Sequence, residues 1–288
     1  MNLPEAYAAC ERLAASHYEN FPVASRLLPR GMRPHIAAIY AFARAADDFA
    51  DEGDATAAER VRQLDDWLGR LHEAVERGAS APATDPVFIA LPETIRVHRL
   101  PVPLFDDLIS AFRQDVTTAR YETWDALLDY CRRSANPVGR LVLRVAGYDD
   151  SGLDAASDAV CTALQLTNFW QDVERDWQKG RVYAPADDRQ RFGAHEEDLA
   201  RRAWTPAWRI LLAELAARTR DLFDAGRPVC DGVTGRLRLE LRFTWLGGRR
   251  ILDRLEAAGF DVFTARPSLG AGDVPAILWQ AAAWTPAR

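Results

Sequence analysis

Residues 236–243 read Arg236-Leu237-Arg238-Leu239-Glu240-Leu241-Arg242-Phe243, a strict alternation of polar and apolar side chains. That is the period of a half-buried strand. Leu237, Leu241 and Trp245 also share one face of a helix. A lone strand has no partner for its backbone, and no other strong strand run occurs in the chain, so the segment reads as helix. The flanking sequence agrees. Apolar residues recur at threes and fours, as in Ile36, Ile39, Tyr40, Ala43 and Ala46, or Val61, Leu64, Trp67, Leu68 and Leu71. Proline and glycine fall largely between such segments. The spacing predicts helices at 4–19, 34–51, 56–77, 86–99, 103–117, 123–146, 154–179, 206–226 and 232–258. The fold class is all-α. With no Gly/Ser linker, low-complexity tract or repeat, residues 1–288 read as a single domain.

Composition narrows the function. Hydrophobic residues make up 48% of the 288, enough for a large core. The net charge of -6 disfavours a nucleic-acid partner. Lys179 is the only lysine and lies between Gln178 and Gly180, which excludes a Walker A loop. Cys10, Cys131, Cys161 and Cys230 are scattered singly, the pattern of buried thiols in a reducing compartment, so a cytoplasmic location is expected. The first residues, MNLPEAYAACERLAA, carry no basic region followed by an apolar run, so no signal peptide is expected. No uninterrupted apolar run approaches the ~18 residues of a membrane span. Val274–Trp284 is apolar enough to lie on a membrane surface or to pack on the core, and packing is the expectation. There is no G-x-G-x-x-G for NADPH, no G-x-S-x-G elbow and no H-x-x-x-H pair for zinc.

Two acidic clusters stand out. The first, Arg44-Ala45-Ala46-Asp47-Asp48-Phe49-Ala50-Asp51-Glu52, closes an apolar helix, with Asp47 and Asp51 one turn apart on one face. Tyr40 and Arg44 lie on the preceding turns. The second runs from Gln165 to Asp176, where Asn168, Asp172 and Asp176 recur every four residues and Gln165 precedes Asn168 by three. Such residues also occur on solvated faces. Yet like charges at this spacing cost a helix ~0.2–0.5 kcal/mol, and few basic residues stand where they would pair these. Mg²⁺ takes hard oxygen ligands, one or two carboxylates plus substrate phosphate. Two such helices facing each other suit several Mg²⁺ bridging a diphosphate, with Arg44 giving a direct phosphate contact.

These stretches carry a resemblance. Tyr40-Ala41-Phe42-Ala43-Arg44-Ala45-Ala46-Asp47-Asp48-Phe49-Ala50-Asp51 and Gln165-Leu166-Thr167-Asn168-Phe169-Trp170-Gln171-Asp172-Val173-Glu174-Arg175-Asp176, with Gly180-Arg181-Val182-Tyr183 after it, resemble the squalene/phytoene synthase family. Tyr130-Cys131, Val138-Gly139 and Gly259-Phe260-Asp261-Val262-Phe263 match its middle and closing motifs. The resemblance implies an isoprenoid-synthase-type helical bundle around a central apolar cavity that holds prenyl chains. It implies metal binding by Asp47, Asp51, Asn168, Asp172 and Asp176. Tyr40, Arg44, Gln165, Arg181 and Tyr183 would surround the diphosphate, with Asn20 and Gln171 added to its binding set and Asp48 and Tyr130 to the catalytic set.

Three departures bear on the branch: Asn20-Phe21-Pro22 where many members have Ser-Phe-Ser, Gln171 where many have arginine, and Asn136-Pro137 in a small apolar wall segment. This pattern resembles the bacterial hopanoid-pathway branch that turns presqualene diphosphate into hydroxysqualene. That implies Mg²⁺ but no NADPH, a prenyl diphosphate substrate, peripheral contact with the inner membrane and coupling to other squalene-pathway enzymes. Condensation of two farnesyl diphosphates to presqualene diphosphate, squalene or a phytoene-type product, and prenyl-diphosphate binding without catalysis, remain the alternatives. Asn136 or Gln171 is a candidate to hold the quenching water. Trp124, Phe169, Trp170 and Trp245 are candidate cation-facing walls, though core packing is the simpler reading.

Overall fold

The computed structural model describes residues 1–16, 27–78, 84–264 and 266–285. Among these the regular elements are all helices, with one isolated bridge between Arg120 and Val182. In chain order they are α1 (Leu3–Ser16), α2 (Arg33–Asp51), α3 (Ala57–Arg77), α4 (Val87–His98), α5 (Pro103–Thr117), α6 (Trp124–Ser134), α7 (Asn136–Val145), α8 (Ser151–Gln171), α9 (Val173–Gln178), α10 (Ala186–Phe192), α11 (Glu196–Ala200), α12 (Pro206–Gly226), α13 (Val229–Gly232), α14 (Gly235–Ala257) and α15 (Asp273–Ala282). None is long and apolar enough to cross a membrane. The chain forms two compact units, the first of Met1–Thr117, Pro137–Asp154 and Gly235–Glu240, the second of the remainder.

The first unit is built on α2. Ile36, Ala37, Ala38, Ile39, Ala41, Phe42, Ala46 and Ala50 are buried along it. The alanines let neighbours approach closely, and Phe42 anchors an aromatic knot. Its ring stacks on Trp67 at 5.8 Å and meets Phe105 edge-on at 5.5 Å, while the Trp67 indole N–H donates to the Phe42 carbonyl. Thr56 starts α3 with a capping box: its hydroxyl accepts from the Glu59 amide, and the Glu59 carboxylate accepts from the Thr56 amide. A polar cluster joins α1, α2 and α4. The Thr94 hydroxyl lies 2.9 Å from the Tyr7 hydroxyl and 3.0 Å from His35 Nδ1, and the His35 and His98 rings meet edge-on at 4.3 Å. Burial holds both imidazoles below their ordinary pKa, and His98 adds to the effect on His35.

The second unit packs α8, α12 and α14 at very short range. A Cβ on Gly226 would stand 2.7 Å from the Ala156 carbonyl and 2.8 Å from the Val160 amide. One on Gly248 would stand 2.5 Å from the Phe223 ring and 2.8 Å from Leu164. The glycines are what allow this approach. The four cysteines are free and buried, Cys10 in the first unit and the other three in the second. Burial pushes the Cys10 thiol to about 11 and the Cys230 thiol to about 12.

The segment 236–243 is helix, the first turns of α14. Its alternation is not the pattern of burial: Leu237 and Glu240 are inside while Leu239 is 39% exposed. Burial then continues at Trp245, Ile251, Leu252 and Leu255, the helical period. Two predicted long helices are each divided. The 123–146 segment breaks between α6 and α7 at Ala135. Pro137 has no N–H to donate to the Arg133 carbonyl in the preceding turn. The 154–179 segment breaks at Asp172, whose φ of −107° and ψ of 15° leave the helical range.

Candidate active site

The first cluster occupies the last turns of α2. Arg44 is largely buried, and its guanidinium is gathered by its own helix: Nη2 lies 2.6 Å from Asp48 and 3.0 Å from Glu52, and Nη1 lies 3.5 Å from Asp47. Of the few basic residues placed to pair this cluster, Arg44 is the one that does so. A carboxylate-rich turn draws in the arginine one turn before it, since residues three and four apart are helix neighbours. Asp47, at 44% side-chain exposure, and exposed Asp51 keep access to solvent on one face. Tyr40 lies half-buried one turn earlier.

The second cluster straddles the joint between α8 and α9. The helical backbone bonds continue through it, from the Asp172 amide to the Asn168 carbonyl and from the Asp176 amide to the Asp172 carbonyl. The stripe of Asn168, Asp172 and Asp176 therefore survives the break. Gln165 and Asn168 are half-buried. Gln171 is buried and donates its amide to the Pro267 carbonyl. Asp172 is gripped by Arg266 in a two-pronged contact, Nε to Oδ1 at 2.5 Å and Nη2 to Oδ2 at 2.7 Å. Arg175 stands 3.7 Å from the same carboxylate.

Past α9 the chain turns back. Gly180, at φ +76°, takes the left-handed conformation that ends many helices, and the Arg181 amide bonds the Asp176 carbonyl at 2.7 Å. The turn sets Arg181 and Tyr183 beside Asp176. The Val182 amide bonds the Ala119 carbonyl, and Arg120 pins the segment by donating to the Gly180 carbonyl and forking onto Glu196 at 2.8 Å. Asp176, Arg181, Tyr183, Phe169, Val173 and Trp208 are among the walls of one recess. Tyr183 stacks on Phe169 with ring centroids 3.6 Å apart and planes 7° from parallel. Tyr121 and Tyr130 pack around the pair, at 5.8 and 6.3 Å from Tyr183.

Other candidates separate. Trp170 and Trp245 are core residues, their indole N–H groups given to the Thr219 hydroxyl and the Phe223 carbonyl. Trp124 stacks on Trp170 with the Arg218 guanidinium 5.3 Å over its ring. Asn136 is buried with its carbonyl oxygen taken by the Thr162 hydroxyl at 2.9 Å. Both residues considered for a water, Asn136 and Gln171, thus spend amide atoms on protein partners. Asn20 lies outside the described residues. Arg266 and the Arg120–Glu196 pair escape sequence reading, because each joins segments 76 or more residues apart with no periodic signal.

Among the described residues no three His, Cys, Asp or Glu side chains converge as a ready-made metal cage. The donors present are carboxylate and amide oxygens one turn apart, which are hard ligands. This chemistry fits Mg²⁺, which seldom uses an all-protein cage.

Comparison with known proteins places this geometry. The squalene/phytoene synthase family model matches residues 14–273. The hydroxysqualene synthase of Zymomonas mobilis is 40% identical over 207 residues, covering 71% of this chain and 67% of that protein. That of Rhodopseudomonas palustris is 38% identical over 240 residues, covering 83% and 80%. The crystal structure of squalene synthase HpnC from Alicyclobacillus acidocaldarius superposes with a TM-score of 0.83 at 41% identity, covering 90% of this chain and 95% of that one. The chain, with its all-α fold and both acidic motifs, belongs to the squalene/phytoene synthase family.

Proposed function

We propose that the protein is a hydroxysqualene synthase: presqualene diphosphate and water give hydroxysqualene and diphosphate. The observation that carries the chemistry is the recess in which Asp176, Arg181 and the stacked Phe169–Tyr183 pair meet. An acid, a phosphate-binding cation and an aromatic face are what a diphosphate-leaving, cation-forming reaction needs. The product follows relatives named hydroxysqualene synthase at 38% to 40% identity. The family model spans nearly the whole chain, and we take residues 1–288 as one functional domain.

Asp47, Asp51, Asn168, Asp172 and Asp176 would hold Mg²⁺. Bound there, such ions offset the charge that develops on the departing diphosphate, a major share of the available rate enhancement. Arg181 and Arg44 orient the diphosphate, aided by Tyr40, Gln165 and Gln171. Asp48 and Glu52 keep the Arg44 fork in place. To act as a ligand Asp172 would have to release Arg266, which holds it at 2.5 Å and would then stand beside the bound ion. The C–O bond to diphosphate breaks with its electron pair on the oxygen. The cyclopropylcarbinyl cation rearranges against aromatic faces, each worth ~0.5–2 kcal/mol to a cation. The stacked Phe169–Tyr183 pair on the wall of the recess would supply such faces. Bulk water must stay out until rearrangement is complete. One water oxygen then bonds the cation, its proton leaves with the diphosphate, and no reductant is consumed. A greasy substrate and product place the enzyme at the inner membrane, alongside the other squalene-forming enzymes.

The test supplies presqualene diphosphate and Mg²⁺ in heavy-oxygen water without reductant. One labelled oxygen should enter a thirty-carbon alcohol. Inertness toward presqualene diphosphate, with conversion of farnesyl diphosphate to it, would move the chain to another branch of the same family. Squalene formed only with NADPH would overturn the water-capture reading.

A further inference from the structure

The helix α15 carries an outer face that no described part of the chain covers. Its inner side is Asp273, Ile277 and Ala281, all buried. At about 100° per residue, Val274, Leu278, Ala282, Pro275 and Trp279 sweep the opposite side. Val274 is 40% exposed, Leu278 42% and Trp279 74%, so three large apolar side chains face solvent within two turns. From Val274 to Thr285 there is no ionisable residue. The single charge in the helix, Asp273, is buried and neutralised by Arg254 at 2.7 and 2.8 Å, with Arg250 at 3.6 Å.

Arginines frame this face at both ends. Arg250 and Arg254, with side chains 53% and 37% exposed, flank its start. At its end Arg227 donates to the Thr285 carbonyl with its guanidinium 4.7 Å over the Trp284 ring, while Arg242, only 11% exposed, lies 5.2 Å over the same ring, donates to the Ala281 carbonyl and is paired with Asp231 at 2.9 Å. Set against their carboxylate partners Asp273 and Asp231, these four arginines leave a local net charge of +2, opposite in sign to the protein as a whole at -6. An uncharged apolar face with an exposed tryptophan and cationic flanks matches a helix lying in the headgroup layer of an anionic bilayer. A second copy of the chain fits less well. The face is about 15 Å long and about 10 Å wide, far short of the ~800 Å² per partner of a stable interface.

We infer that α15 docks the protein on anionic membrane, with Val274, Leu278 and Trp279 inserted and the exposed Arg250 and Arg254 against lipid phosphates. This names the surface for the membrane contact in the proposed function and rests on that reading only for its purpose. The geometry stands on the helix itself, and the test uses no substrate.

Purified full-length protein is sedimented with phosphatidylcholine vesicles, with and without phosphatidylglycerol, at low and high salt. Trp279→Glu and Leu278→Glu are compared with wild type, with Trp279→Phe as the conservative control and melting temperature as the check on folding. Wild type should pellet with the anionic vesicles and be released by salt. Each Glu variant should lose about tenfold in partitioning while melting as wild type does, and Trp279→Phe should keep most of it. Equal pelleting of wild type and both Glu variants overturns the assignment. So does wild type that binds no vesicle but forms a dimer lost in Trp279→Glu, which would give the face to a second copy. Vesicle binding by a protein inert on presqualene diphosphate would leave α15 as the docking helix and reject the reaction alone.

Discussion

The two acidic clusters share a spacing and differ in how their charges are balanced. On α2 the balance is local: Arg44 sits on the same helix as Asp47 and Asp48, with Glu52 at its C-cap, and those partners are substantially exposed. At the α8–α9 joint it is tertiary: Asp172 is 17% exposed and held by Arg266, 94 residues away. The first cluster can form as soon as its helix does. The second exists only when the segment after α14 is in place. Identical sequence patterns can therefore carry different dependence on the rest of the fold.

The strongest test of the contrast is chemical. Asp176→Asn and Asp47→Asn keep shape and remove charge, and each should lower turnover about a thousandfold at unchanged melting temperature, the scale of losing one preorganised electrostatic contact. Near-normal turnover in either variant would return that cluster to an ordinary solvated face. Next in size, Gly226→Ala should lower stability by about 3 kcal/mol, because its methyl group meets α8 backbone and the helices must part. A thermal melt reads it, and an unchanged melt would show that α8 is not gripped as described.

Arg266→Gln should cost about 2 kcal/mol, as a part-buried, charge-assisted fork is lost. Arg44→Gln should cost under about 1 kcal/mol, and that loss should shrink in high salt. Equal losses in the two variants would erase the local-versus-tertiary distinction. Arg44→Lys sharpens the point: an ammonium cannot reproduce the fork, so turnover should fall about tenfold while the melt barely moves. The smallest effect belongs to the start of α2. His35 and His98 have lowered pKa values in the folded state, so below about pH 6.5 the unfolded chain takes up protons that the folded one resists. Stability should be full above that pH and decline as pH falls below it. The double variant His35→Gln/His98→Gln should flatten this limb in melts across pH.

The legible parts of the chain were those with a long repeat. The 3–4 period gave α2, α3, α5, α12 and α14 to within a residue or a few, and the i, i+4 oxygens marked both clusters. The short α10, α11 and α13 span too few turns to show a period. The α15 segment shows in the sequence only as an apolar end, because apolar residues run nearly all round it. It buries one side and leaves the other exposed, so packing and exposure both apply. The break at Ala135 was written in Pro137, though the surrounding period masked it. The break at Asp172 was not written in any single residue: it coincides with a carboxylate held by Arg266, a contact between distant segments.

The buried thiols give each unit its own clock. Cys10 reports on the first, while Cys131, Cys161 and Cys230 report on the second. A thiol whose pKa burial raises supplies almost no thiolate at neutral pH, and a folded wall denies the reagent access. Modification of each cysteine by a thiol reagent, followed by peptide mass spectrometry, therefore measures how often its surroundings open. In a single reaction, with no label engineered in, the wild-type chain records whether its two units breathe together or apart.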